Sequence, residues 1–555
     1  MRLIETRLYE GPNLYRLEPV IKLEVAVGRT RPWKGARDAD GLVAHAAAAV
    51  PAREWPDAVA DLVAWVRRLR ADHDAACPGP VEVHRATDAG RWIVTWPWTA
   101  SGRARAIAEG AFDLATRSVS PARRTRLTGT QARLVARWGE RIVGARTTSP
   151  SWVRDADRRI PVISITGTNG KSTVTRLLTH ILLQAGRHVG TTTSDGILVD
   201  ERLVDAGDWT GPGGAAAILG RDDVDIAVLE TARGGLVQRG MGYESNDVSI
   251  LTNISSDHLD LGGIHTLGQL TEAKATVCRV TRPGGTVVLN ADDPHVVAVA
   301  RRVRGSVTWF SIAPATAALV PLARNRRTGG RAVVVADGEL VLWDGPATTP
   351  LVRVDEIPVT LGGTARHNVA NALAAAAGAL ALGMTPAQVA AGLRDFRPTP
   401  ELSPGRLNVF ELGGSTVIVD FAHNEAGANV ILDVAAALAR GRGVTAIIGS
   451  AGDRPDESIS ALAAAAARHT ARVLIKEDLR YLRGRERADV LRLLRSGLQA
   501  GGKDPAGVPV HETEVEALAA AMDAPLPGGE VIVLFCHEQR EEAYALLRAR
   551  GATSA

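Results

Sequence analysis

Cysteine is scarce: Cys77, Cys278 and Cys536 are the only three in 555 residues, and they lie far apart. That spacing excludes a thiolate metal cluster or a disulfide framework and fits a reducing, cytoplasmic setting. Aromatic residues make up only 4% of the chain, so its cores must be assembled from many small alanine, valine and leucine contacts. No apolar run is long enough to read as a membrane span. The opening Met1-Arg2-Leu3-Ile4-Glu5 lacks the apolar centre of a secretory leader. An excess of one charge sign is also missing: 65 basic residues are scattered against 61 acidic ones, net +4, which gives no footprint for nucleic acid. Neither a membrane nor a nucleic acid is expected as a partner.

What is present is a globular composition, 45% hydrophobic and 23% charged, on a chain too long for one core. Three domains are expected, at residues 1–158, 159–399 and 400–555. Eight of the eleven tryptophans fall between Trp33 and Trp152, marking the first as compositionally distinct. Indoles used as core mass explain this better than a base-stacking platform, because no aromatic-basic motif accompanies them. Ile21, Leu23 and Val25 alternate with Lys22, Glu24 and Ala26 as in a half-buried strand. Trp92 to Trp98 also reads as strand, and Val59–Leu69 and Arg105–Leu114 read as helices, which makes this a small α/β or α+β domain. Arg141 to Arg158 reads as a passage between domains.

The next stretch repeats strand, loop and helix. Val162-Ile163-Ser164-Ile165 precedes a glycine-rich turn and a helix from Ser172 to Ala185. Further strands run over Asp225–Leu229, ending at Glu230, and from Val248 to Leu251. That alternation predicts an α/β fold with a parallel sheet and its ligand at the carboxyl ends of the strands. Pro398 to Pro404 breaks the pattern. Beyond it, Val417–Val419, Val444–Ile448, Val473–Ile475 and Val531–Leu534 predict a second α/β unit.

The strongest local signal is Gly167-Thr168-Asn169-Gly170-Lys171-Ser172-Thr173. Its glycines let the backbone approach phosphate oxygens, Lys171 brings positive charge, and the Ser172 hydroxyl suits Mg²⁺. The loop is shorter than the common GxxxxGK[ST] spacing, but a strand before it and a helix after it favour phosphate over a purely structural turn. Glu230, at a strand end beside Gly234 and Gly235, offers a carboxylate to the same Mg²⁺; alone, it would read as a solvent-facing strand terminus. In Asn253 to Gly262, His258 is a candidate for a second metal or its shell, oriented by Asp257 or Asp260. Lys274 is either a counter-charge to phosphate or a surface helical lysine.

Taken in order, these segments resemble the Mur ligase superfamily over residues 161 to about 540, and 190 to 295 resemble the Mur-type portion of cyanophycin synthetase. The likeness rests on Thr191-Thr192-Thr193-Ser194-Asp195-Gly196, Gly207-Asp208-Trp209-Thr210-Gly211-Pro212, Glu230-Thr231-Ala232-Arg233-Gly234-Gly235, Asp257-His258-Leu259 and Leu289-Asn290-Ala291-Asp292-Asp293-Pro294. It implies a Mur-ligase-like P-loop central domain and a Rossmann-like C-terminal domain. It implies ATP and Mg²⁺, with Lys171 and Ser172 at the phosphates, Glu230 and His258 at the metal, and Asn290 and Asp293 in the nucleotide segment. Arg366-His367-Asn368-Val369-Ala370-Asn371 looks like the family segment that places His367, Asn368 and Asn371 near adenine. Gly405-Arg406 and Asp420-Phe421-Ala422-His423-Asn424 look like the C-terminal segments that close over ATP, contact ribose or phosphate and help hold the amine. Lys274 lies where many members carry a carbamylated lysine.

Glu10-Gly11-Pro12-Asn13 resembles the opening of cyanophycin synthetase. Complete members carry an ATP-grasp domain between that opening and the Mur-type core, and here the core begins near residue 161 with no room for it. The expectation is therefore one amide-forming step between a carboxylate and an amine or amino-acid donor, on an amino-acid-derived or peptide-like substrate, with a polymer and homo-oligomerisation left open. The competing readings are a kinase or ATPase on the same loop, and a nucleotide-gated scaffold whose first domain recruits a polymer or protein.

Overall fold

The computed structural model describes residues 1–28, 49–117, 129–256, 263–313 and 327–554. Three sheets organise them. The first has four antiparallel strands in the spatial order Arg2–Tyr9, Val20–Ala26, Arg91–Pro97, Glu82–Arg85. Ile21, Leu23 and Val25 share one core with Val59, Leu62 and Leu69 of the helix Asp57–His73 and with Ile107 of the helix Ser101–Thr116. Trp65, Trp92, Trp96, Trp98 and Trp138 are all buried there, so the indoles serve as core mass. The antiparallel ladder makes this unit α+β.

The central sheet has eleven strands. Seven consecutive ones are parallel, in the order Val189–Thr192, Ile226–Glu230, Val162–Thr166, Asn246–Leu251, Thr281–Asn290, Ser306–Ser311, Arg331–Ala336. Buried on both faces, the strands read as continuous apolar runs, which is why Val162–Ile165 was visible in the sequence. Antiparallel strands extend the parallel run at both edges. Gly196–Val199 with Arg202–Ala206, and Glu339–Asp344 with Ala347–Arg353, are antiparallel hairpins. The helix Lys171–Gln184 packs over this sheet with Arg366–Ala381, an alanine-rich helix buried along most of its length.

The third sheet runs Val510–His511, Arg472–Lys476, Gly443–Ile448, Glu530–Phe535, Ser415–Asp420, Asn408–Leu412, Thr553–Ser554. The first five strands are parallel, and Asn408–Leu412 pairs antiparallel with both Ser415–Asp420 and Thr553–Ser554. Its two faces carry separate apolar clusters. The supposed passage at 141–158 is partly structured: a helix from Gly129 runs to Val143, and Val153 bridges to Tyr243. Among the described residues no helix is long and apolar enough to cross a membrane.

Candidate active site at the phosphate loop

The turn after Val162–Thr166 is built for close approach. Gly167 and Gly170 sit at φ 147° and 85°. A Cβ on Gly167 would lie 1.9 Å from Thr252 Oγ1, and one on Gly170 would lie 2.3 Å from Asn371 Oδ1, so neither position tolerates a side chain. The turn is also tied to the segment following the next strand. Thr168 N donates to Asn253 O at 2.8 Å, Asn169 N to Asn253 Oδ1 at 2.9 Å, and Thr252 Oγ1 to Asn169 O at 2.7 Å. Lys171 Nζ donates to Thr168 O at 2.9 Å. Ser172 and Thr173 are buried in the first turn of the helix, whose amide dipoles favour an anion at that end.

Glu230 ends its strand within this cluster and is 3% exposed. Burial pushes its carboxyl pKa up, opposed by Lys171, Arg406 and a hydrogen bond from Ser172. Its Oε2 is buried and has no hydrogen-bond partner among the described residues. Such an unpaired buried acceptor is costly unless a ligand completes it. Lys274 is buried at 5% exposure and donates to Gly167 O at 2.6 Å, so the surface-lysine reading is corrected: its ammonium buttresses the loop. His258, with Asp257 and Asp260, lies outside the described residues.

Asn290 Nδ2 donates to Thr252 O at 2.8 Å, and Asp293 accepts from Ile254 N at 2.7 Å while capping the helix Pro294–Val299. Both therefore hold the segment that holds the loop. Asn371 Nδ2 donates to Asn368 Oδ1, and Asn368 Nδ2 to Val359 O, each at 2.9 Å. Burial pushes the His367 imidazole down to about 4, so it is neutral at physiological pH, and its Nδ1 has no hydrogen-bond partner among the described residues. A cavity of about 310 Å³ opens at the start of that helix beside Arg366 and Val369, with Gly362, Gly363 and Ile312 on its wall.

The third sheet completes the site. Arg406 Nη2 lies 3.4 Å from Ser172 Oγ and 3.3 Å from Ser194 Oγ, and its guanidinium stacks 4.8 Å from the centre of the Phe421 ring. Asn424 Nδ2 reaches Asn169 Oδ1 at 3.4 Å. Asp420 gives one oxygen to Leu407 N and the other to Ala422 N, both at 2.7 Å, and so pins the Arg406 and His423 loops together. Burial pushes its pKa up. His423 Nδ1 sits 3.0 Å from Phe421 O.

Sequence reasoning missed three charged residues here. Asp195 Oδ2 accepts from Arg176 Nη2 at 2.7 Å, and its Oδ1 from Arg540 Nη1 at 2.9 Å. Although burial pushes the carboxyl up, Arg406, Arg540 and Arg176 together hold it below the usual range. Asp195 stood in the recognised Thr191–Gly196 motif, but nothing in the sequence paired it with residues as remote as Arg540.

A phosphate loop at the carboxyl edge of a parallel sheet, with a buried carboxylate beside its serine and an arginine reaching over from a second α/β sheet, defines a nucleotide-dependent enzyme built from two cooperating units. Residues 165–379 match the Mur ligase middle domain and 405–537 match the Mur ligase glutamate ligase domain. The chain belongs to the Mur ligase superfamily of ATP-dependent ligases, for which ATP and Mg²⁺ are typical. It is 37% identical over 393 residues to cyanophycin synthetase of Trichormus variabilis, covering 71% of this chain and 43% of that protein. With cyanophycin synthetase of Crocosphaera subtropica it shares 38% over 397 residues, covering 72% and 44%. The chain thus spans less than half the length of these relatives. Among solved structures, Mycobacterium tuberculosis folylpolyglutamate synthase complexed with ADP and AMPPCP superposes with a TM-score of 0.51 at 21% identity, over 72% of this chain and 92% of that one. Escherichia coli FolC in complex with DHPP and ADP gives 0.52 at 19% identity, over 70% and 89%. These two likenesses concern the fold.

Proposed function

We propose that the chain joins a carboxylate to an amine in one ATP-dependent, ADP-forming step through an acyl-phosphate. The observation that carries this reading is the unpartnered Oε2 of buried Glu230 beside Ser172, at the mouth of the phosphate loop and under Arg406. A hydroxyl and a carboxylate are hard oxygen donors and fit Mg²⁺, which would be held by Ser172 and Glu230 and would offset phosphate charge when bound. Lys171 and Arg406 supply the fixed positive charge. Gly170 and the first turn of the helix direct N–H groups at the phosphates. We place the adenine near neutral His367, with Asn368 and Asn371 beside the loop.

In the first step a carboxylate oxygen bonds the γ-phosphorus and the bridging oxygen leaves with ADP. In the second the amine nitrogen bonds the acyl carbon, phosphate leaves, and the nitrogen loses its proton. His423, Asn424 and Arg406 stand on the closing unit, where they orient the partners and exclude water. We further propose residues 1–158 as the unit that binds an amino-acid-derived or peptide-like substrate, 159–399 as the ATP-binding unit and 400–555 as the closing unit. The resemblance of Glu10–Asn13 to cyanophycin synthetase supports the first of these. Between that segment and Gly167 the described residues build only the four-stranded unit, which supports one bond-forming step rather than an alternating two-residue cycle.

The test is a mass-spectrometric product screen of purified chain, ATP and Mg²⁺ with paired carboxylates and amines, aspartyl and glutamyl peptides included. One new amide with stoichiometric ADP and phosphate is expected. Alternating incorporation of two amino acids by this chain alone defeats the single step. ADP formation that ignores the amine defeats ligation.

A further inference from the structure

A second polar cluster, used by none of the chemistry above, lies in the third sheet behind the Phe421 loop. Lys476 is fully buried, as are Asp478 and Glu514. Burial works against the ammonium, yet Asp478 and Glu514 hold its pKa above the usual lysine value, and Glu514 is pulled down to about 2. Ligand atoms of Asp478, Glu514 and His537 converge as they would around a metal ion. Lys476 Nζ already bonds all three: Asp478 Oδ1, Glu514 Oε1 at 2.6 Å and His537 Nδ1 at 3.0 Å. An ammonium carries positive charge and no lone pair, so it fills the place a cation would take among these three groups.

The third contact fixes the imidazole. His537 Nδ1 faces both the Lys476 ammonium at 3.0 Å and Asp478 Oδ2 at 3.1 Å, so the buried cluster anchors that side of the ring. Nε2 faces Ala422 O at 3.1 Å, and since a carbonyl can only accept, Nε2 carries a proton and donates it; the ring meets Phe421 edge-on at 5.5 Å. Phe421 is the surface on which the Arg406 guanidinium rests, and Arg406 reaches Ser172. We infer that Lys476 and His537 are positioning residues: the buried Lys476 and Asp478 anchor the His537 ring, His537 holds the 421–422 loop by one hydrogen bond donated from Nε2, and that loop holds Arg406 over the phosphate loop. This rests on the nucleotide site proposed above.

Full-length protein, titrated calorimetrically with ADP and Mg²⁺, supplies a readout that needs no knowledge of the substrates. Glutamine places an N–H where His537 Nε2 lies, whereas phenylalanine keeps the ring and loses the donor. His537→Gln should bind ADP within about twofold of the unaltered chain, and His537→Phe and His537→Ala about fivefold more weakly, the effect of one hydrogen bond. If the effect passes through Arg406, His537→Phe adds nothing in an Arg406→Ala background. Histidine nitrogen NMR should show His537 protonated at Nε2. Equal loss in the glutamine and phenylalanine variants, additive effects with Arg406→Ala, or an unprotonated Nε2 would each overturn the inference. Absence of ADP binding by the unaltered chain would instead overturn the nucleotide site.

Discussion

Arg540 Nη1 lies 2.9 Å from Asp195 Oδ1, joining the last helix of the chain to the loop after the strand Val189–Thr192. The other Asp195 oxygen belongs to Arg176 on the phosphate-loop helix, so one carboxylate links the third-sheet unit to that helix. Asp195→Ala would leave two guanidiniums facing each other without an anion. The expected cost is about 3 kcal/mol in denaturant titration, with Asp195→Glu retaining most of it. An unchanged midpoint for Asp195→Ala would show that the bridge is not held in solution.

Lys171→Ala should lower ATP-dependent turnover by about 100-fold or more, since it removes fixed charge from the phosphate end. Glu230→Gln keeps the shape of the side chain and weakens its hold on Mg²⁺, so higher Mg²⁺ should restore part of its rate but none of that lost in Lys171→Ala. A Mg²⁺ titration of both variants checks this. Folded variants with near-normal rates contradict the assigned roles.

His367 carries a pH signature. Its pKa falls from the ordinary 6.5 to about 4 in the folded chain, so between those values the unfolded chain binds a proton that the native one does not. Stability must then rise with pH across that window and level off above it. His367→Asn should flatten the slope by up to about one proton. A slope identical in both chains would count against the buried neutral ring.

Glu514 predicts the opposite end of the scale. Its folded pKa of about 2 lies under the ordinary 4.5, so its contribution is full above pH 4.5 and drains away as pH falls towards 2. Glu514→Gln should therefore destabilise at neutral pH, where Lys476 loses a partner, and lose less than the unaltered chain on acidification. Parallel acid melts measure the difference; curves that stay parallel down to pH 2 would remove Glu514 from the linkage.

Deleting residues 1–158 should raise the KM of the extended substrate more than that of ATP if the first unit binds it. A truncated chain that melts like the full one with both KM values unchanged assigns that unit a structural role instead.

The strands that the sequence revealed are those whose pattern is local. Val162–Thr166 and Glu530–Phe535 are buried throughout and mostly apolar because both faces are covered. The edge hairpins were not foreseen, since Arg202–Ala206 is wholly exposed and alternates with nothing. The phosphate loop was legible because its glycines, lysine and serine are contiguous. Arg176, Asp195 and Arg540 were not, because charges so far apart in sequence give no spacing to read. The helix Leu267–Arg279 did not reveal from its own pattern that Lys274 faces inwards to Gly167. The Lys476 cluster was hidden likewise, its members drawn from two strand ends and a helix start.

The opening residues of the chain are fastened to a segment made much later. Arg7 donates to Val237 O across 230 residues, Met241 N donates to Pro12 O at 2.7 Å, and Gly11 has no room for a side chain against Met241 O. On a ribosome that interval lasts roughly 10 to 50 s at ordinary elongation rates. Throughout it the segment from Glu10 to Asn13 has emerged without its dock. Until residue 241 arrives, that stretch cannot make the backbone hydrogen bonds with Arg239 and Met241 that hold it in the folded chain.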